Sequence, residues 1–295
     1  MSAPGSSGAA SPGSTAAGTA RPTSFGFAAA LCAIDGGPGS DAAVRQAASL
    51  TTARGEVTVL LVTSHRALGE RGSAIGPMRA KEILDRAEQT LGRAGVAHSL
   101  EVDPAAPPAE VILDWTAGHD LLAIGAPDST SLGGAFVKGV ADTALERLTI
   151  PVLVAREPHG EDDDSFPRTI LIASDGLDGS DQLVEFGAAL ACAHGARLTL
   201  AHVLGSASAS PPRRIGEQAR RLEQELAGAH LLVEAGNAHE AIVAAAGAHD
   251  ASLIVMSSRG LTGLRVLGSV SHAVVHDAAC SVLLVPPARL RGVPA

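Results

Sequence analysis

The residues best suited to chemistry lie between Leu253 and Ser271, in the stretch L-I-V-M-S-S-R-G-L-T-G-L-R-V-L-G-S-V-S. An apolar run ending at Met256 and Ser257 reads as a buried strand, the loop carrying Arg259 and Gly260 follows, and a helix is expected from near Ser269. A strand, a small-residue loop and a helix start form an anion-binding device, because the first N–H groups of a helix lack intrahelical partners and its dipole favours negative charge there. Gly268 lets a phosphate approach the backbone, while Ser269 and Ser271, flanking Val270, add hydroxyl donors. Two further groups belong at the same edge of an open α/β sheet. Asp175 ends an earlier strand and can accept hydrogen bonds from a base amino group or a sugar hydroxyl, and the backbone at Val203 ends the strand after it.

The elements that must position these groups follow from composition and periodicity. The 295 residues suffice for two ordinary domains, and 46% hydrophobic content allows sizeable cores. Aromatic residues make up only 2%, so Ala, Val, Leu and Ile must fill those cores. A formal charge of −9 argues against a general nucleic-acid binder, which needs a basic face. No apolar run approaches the roughly 20 residues of a membrane span, and the N-terminus does not read as a secretory signal. Cys32, Cys192 and Cys280 have neither metal spacing nor even pairing and are expected to be reduced core thiols, in keeping with a cytoplasmic protein.

Along the chain, residues 1–24 are rich in Ser, Gly, Ala and Pro and are expected to be a disordered arm. A first α/β unit is expected over 25–156. Its strands are placed at Phe25–Ile34, Glu56–Thr63, His98–Val102, Leu121–Gly125 and Pro151–Ala155. Helices are expected from Ser40 or Asp41 as N-cap, over Pro77–Leu91, over Pro108–Ala117 and near 140–148. A charged, proline-bracketed linker at 157–168 follows. The pattern then repeats over 169–287, before a tail at 288–295: D-G-L-D-G-S at 175–180 matches D-G-G-P-G-S at 35–40, and V-L-L-V closes the second half as V-L-V closes the first. Continuous apolar strands alternating with helices imply two tandem units, each an open parallel sheet with right-handed crossovers.

With the strand–Asp–Gly turns at Asp35 and Asp175, L-I-V-M-S-S-R-G, G-S-V-S-H-A-V-V-H-D-A-A-C-S-V-L-L-V and V-A-D-T-A-L-E-R-L-T-I-P-V-L-V-A in view, the chain resembles a tandem universal stress protein over roughly 25–287. The resemblance implies Rossmann-like, five-stranded open sheets that pair through their last strands. It therefore implies an intrachain pseudo-dimer, with room for a further homodimer. It also implies an ATP-binding stress-response sensor or adaptor with no settled enzymatic reaction, its ligand an adenine nucleotide with or without Mg²⁺ and its further partner a protein. ATP-binding members carry G-x2-G-x9-G-[ST], and both halves depart from that pattern. The second half keeps G-S-V-S at 268–271, but Ser257 replaces the first Gly and only residues 261–267 separate Gly260 from Gly268. The first half keeps the spacing between Gly125 and Val140 but carries Asp128 for the second Gly, Lys138 for the next and Gly139 for the hydroxyl residue. A carboxylate beside a triphosphate is repulsive. The first-half set, Asp35, Val62, Gly125, Asp128, Lys138, Gly139 and Val140, is thus read as a degenerate site, and the nucleotide is expected in the second half.

Other constellations fall short. His272 and His276 share a helical spacing without a third metal ligand, and His239-Glu240 has Val243 where a zinc-protease motif needs its second His. There is no G-x-S-x-G elbow, and neither Asp-Gly turn offers a P-loop Lys. The acidic run at 161–164 reads as a solvated linker, and Arg213, Arg214, Arg220 and Arg221 as a solvated helix face. A rival reading keeps the fold but makes the chain a structural or partner-docking module that binds no nucleotide, since both motif copies are altered.

Overall fold

The computed structural model describes residues 25–63, 75–126, 149–157, 165–177, 179–204, 210–226, 228–257 and 270–290. Ten strands form one open sheet: β1 (Phe27–Ile34), β2 (Thr51–Val62), β3 (Ala97–Asp103), β4 (Leu121–Gly125), β5 (Val152–Ala155), β6 (Thr169–Ala173), β7 (Arg197–Leu204), β8 (His230–Ala235), β9 (Leu253–Ser257) and β10 (Ser281–Val285). Their spatial order is β3-β2-β1-β4-β5-β10-β9-β6-β7-β8. Within each half all neighbours run parallel, whereas β5 and β10 pair antiparallel through Leu153 and Leu283. The expected pair of five-stranded parallel sheets is therefore present, fused edge to edge. The antiparallel junction sets the carboxyl end of the second half beside the amino end of the first.

Among the described residues the helices are α1 (Pro38–Leu50), α2 (Pro77–Ala94), α3 (Pro108–Trp115), α4 (Ser180–His194), α5 (Arg213–Glu225), α6 (Ala238–Ala248), α7 (Val270–Asp277) and α8 (Pro287–Leu290). The expected helix near 140–148, the arm at 1–24 and the acidic run at 161–164 lie outside the described residues. Strands buried on both faces explain the apolar runs. In β9, Leu253 and Val255 face a core shared with α1, α2 and α4, and Ile254 and Met256 face a second core with α3, α6 and α7. A register shift between Phe27 and Ala29 lets Phe27 and Ala30 share the first of these cores.

Four local expectations are corrected. Helix α1 starts at Pro38 with Gly37 as its N-cap, because the Ser40 hydroxyl is engaged with Asp35 Oδ1 (2.9 Å) instead of capping. β2 starts at Thr51, ahead of Glu56. Strand β8 (His230–Ala235) stands where no strand was expected. Cys192 is exposed on α4, so only Cys32 is a fully buried thiol, with Cys280 between the two. Burial pushes the Cys32 thiol well above its usual range and the Cys280 thiol up to about 11.

Polar ties reinforce the junction between halves. Gln46 donates to the Arg156 carbonyl (2.8 Å), and the Ser281 hydroxyl donates to Gln46 Oε1 (2.7 Å). The Arg156 guanidinium donates to the carbonyls of Val275, His276 and Cys280, at and just past the end of α7. Phe25 and Phe27 of the first half pack on Phe186 of α4, with ring centroids 5.4 and 6.3 Å apart.

Candidate functional site

In the second half the strand order turns at the β6–β9 pair, and crossovers leave it in opposite directions, which opens a crevice at the carboxyl ends of these strands. A cavity of about 710 Å³ lies there. Its floor is apolar, with Ala173 from β6, Ala201 and Val203 from β7, and Met256 from β9, and Ile242 of α6 lines it as well. Its polar side chains are Ser174, Asp175, Ser180 and Gln182 on one side, and Ser257 with Ser271 in the first turn of α7 on the other. The six predicted residues Asp175, Val203, Met256, Ser257, Val270 and Ser271 thus line one space. Arg259, Gly260, Gly268 and Ser269 lie outside the described residues.

The Asp175 turn is held from below. Asp175 Oδ1 accepts from the Leu177 N–H (2.8 Å), an Asx turn that leaves the residue exposed at the cavity mouth. Gly176 has φ +69°, and a Cβ there would stand 2.9 Å from Ile215 of α5. Beneath the turn, Gln218 of α5 is only 2% exposed and acts as a clamp. Its Oε1 accepts from the Ser174 hydroxyl (3.1 Å), and its Nε2 donates to Ser180 Oγ (2.8 Å) and Asp181 Oδ1 (2.8 Å). The buried His202 ring donates from Nδ1 to the Ser174 carbonyl (2.8 Å). A buried network with each member bonded rigidifies its surroundings, so the carboxyl end of β6 is fixed relative to α4 and α5.

Gln218, Ser174, Ser180, Ala238, Ile242, Pro287 and Leu290 were not among the predicted residues. Gln218 had left a signal: it interrupts the apolar stripe Ile215, Ala219, Leu222 on its own helix, where a polar side chain must find buried partners.

The first-half counterpart is built differently. Asp35 Oδ1 makes the same Asx turn, accepting from the Gly37 N–H (2.8 Å), but it also accepts from the Ser40 hydroxyl (2.9 Å), whereas the equivalent Ser180 is bound by Gln218, and apolar Ile34 stands where Ser174 does. At the β1–β4 switch point the first turn of α1 lies on the end of β4. A Cβ on Gly125 would be 2.5 Å from the Gly39 carbonyl carbon, and one on Gly39 would be 2.9 Å from the Gly125 Cα. Among the described residues, a Cβ on Gly179, the counterpart of Gly39, would meet only Gln182, at 3.9 Å. Backbone thus fills the space between α1 and β4 at this point, whereas the equivalent Gly179 and Ser257 line the cavity. Val62 is buried at the end of β2. Asp128, Lys138, Gly139 and Val140 lie outside the described residues.

The remaining candidates are accounted for locally. The His272 and His276 rings lie tilted against each other with centroids 4.5 Å apart, and no group of three or more metal-ligating residues occurs among the described residues. His239 pairs with Asp277 (2.7 Å). Three of the α5 arginines are engaged with carboxylates: Arg213 with Glu217, Arg214 with Asp181 and Arg221 with Glu185. No described helix is long and apolar enough to cross a membrane.

The family model described as the universal stress protein family matches residues 27–156 and again 167–286. The chain belongs to the universal stress protein family. It is a tandem member, with both halves matched. A curated relative from Thermus aquaticus, the universal stress protein in QAH/OAS sulfhydrylase 3'region, is 39% identical over 138 residues, which is 40% of this chain and 98% of the relative. Among solved structures, a universal stress protein from Archaeoglobus fulgidus superposes with TM-score 0.65 at 22% identity, over 88% of this chain and 96% of its own. A putative universal stress protein from Pseudomonas aeruginosa gives TM-score 0.62 at 18% identity, over 90% and 95%. At these identities the two structures establish the shared tandem fold.

Proposed function

We propose that this tandem universal stress protein binds an adenine nucleotide in its second half and acts as a stress-response sensor or adaptor, not as a catalyst of a chemical step. The observation that carries the reading is the cavity of about 710 Å³ at the β6–β9 switch point, with Asp175 on one side and the first turn of α7 on the other. Its volume lies in the usual range of small-molecule sites. Its apolar floor suits a base, the Asp175 carboxylate suits ribose hydroxyls, and the first turn of α7 with Ser271 suits a phosphate. Any Mg²⁺ arrives on the phosphates.

The Gly39–Gly125 backbone contact supports a structural part for the first half, so one nucleotide per chain is expected. Mass analysis of the purified protein for bound nucleotide, together with a thermal shift in millimolar ATP and Mg²⁺, tests the reading. Absence of both overturns it in favour of the docking-module alternative. Unchanged ATP affinity in a Ser269→Ala/Ser271→Ala variant would move the nucleotide away from α7.

A further inference from the structure

The cavity is not built from the repeat alone. The second match to the family model stops at residue 286, yet Pro287 and Leu290 of α8, just past that limit, line the space. Leu290 is 4% exposed and belongs to the core cluster on the α4 side of the sheet. The same short helix reaches the first half, where its Arg289 guanidinium lies 3.6 Å from Asp120 Oδ2. Asp120 is itself fixed, accepting from the Ala28 and Ala29 N–H groups at the start of β1 (3.0 and 2.9 Å) while its own N–H donates to the Ala29 carbonyl (2.8 Å). A second wall is anchored in the same way. Helix α4 contributes Ser180 and Leu183 to the cavity and packs Phe186 against Phe25 and Phe27 of the first half. The antiparallel β5–β10 pairing makes this geometry available, because it brings the amino edge of the first half next to the carboxyl edge of the second.

We infer that the ligand site is a composite of both halves. Leu290 and Pro287 supply a hydrocarbon wall that keeps water from the ligand, and Asp120 of the first half is a positioning residue that holds this wall through Arg289. The first half thus takes part in binding at the second. This inference rests on the nucleotide reading above.

The test is calorimetric titration of ATP with Mg²⁺ into the full chain, a chain ending at Pro286, Leu290→Ala and Arg289→Met, with urea midpoints measured without nucleotide. The expected result is a Kd raised about tenfold by truncation or by Leu290→Ala, from lost apolar contact. Arg289→Met should raise it about threefold, since the tether is a partly exposed ion pair. Amide exchange at 287–290 should slow on nucleotide addition, a response that a purely structural tail would not give. Should truncation unfold the chain, the two full-length substitutions decide. If the full chain binds ATP and these variants bind it equally well with no protection at 287–290, the composite site is refuted and the nucleotide reading stands. A full chain that binds no adenine nucleotide refutes both.

Discussion

Gly39 and Gly125 meet backbone to backbone, so close that neither position has room for a methyl group. Their counterparts in the second half, Gly179 and Ser257, line the cavity instead. At this one pair of positions backbone fills the first half where the second half borders its cavity. Gly125→Ala is expected to cost about 1–3 kcal/mol through overpacking. Urea unfolding should register that loss, while nucleotide stoichiometry stays near one per chain.

Gln218→Leu tests the clamp under the Asp175 turn. The change strips partners from the buried hydroxyls of Ser174 and Ser180, for a loss of about 1–3 kcal/mol. Because these residues also line the cavity, nucleotide affinity should fall with stability. Gln218→Glu should be worse, since it sets a second carboxylate beside Asp181. Chemical denaturation and titration of both variants give the comparison.

Arg156→Met removes the cation that binds the carbonyls at the end of α7, the helix whose first turn faces the cavity. A cation there complements the helix dipole, and its loss from a partly buried site should cost about 2 kcal/mol. The expected signature is a lower thermal midpoint with faster amide exchange over 270–277, partly restored by Arg156→Lys.

His194 sets a pH dependence. Its Nε2 is buried without a hydrogen-bond partner among the described residues, and burial lowers its pKa to about 4. The unfolded chain takes up this proton below about pH 6.5 while the folded chain refuses it until about pH 4, so the unfolded state binds more protons in that window. The contribution is therefore intact above pH 6.5 and is lost as pH falls toward 4, on the order of 3 kcal/mol in all. His194→Leu should flatten the midpoint-versus-pH curve over that range, as calorimetry at several pH values will show.

Much of the architecture was legible because parallel strands buried on both faces are continuous apolar runs, as in β1 and β9. The duplication was legible because Asp35 and Asp175 end equivalent strands in equivalent turns. Strand β8 was not, since an outer strand with a half-exposed H-L-L-V-E-A sequence lacks that run. Six of the ten second-half residues named from sequence line one cavity, because strand ends and helix starts converge wherever the strand order reverses. Gln218 left a trace as a polar break in its helix's apolar stripe, but its partners, the α8 wall and the Gly39–Gly125 contact depend on which distant segments touch, and local pattern carries no record of that.

The β5–β10 ladder has a last consequence, for valency. Each half spends its terminal edge on the other half of the same polypeptide, so partner choice at that seam is settled by covalent linkage, one first half for every second half. Unlike halves can therefore diverge without the risk of like pairing with like. Among the described residues, the sheet margins left for a further copy of the chain are the outer ones at β3 and β8.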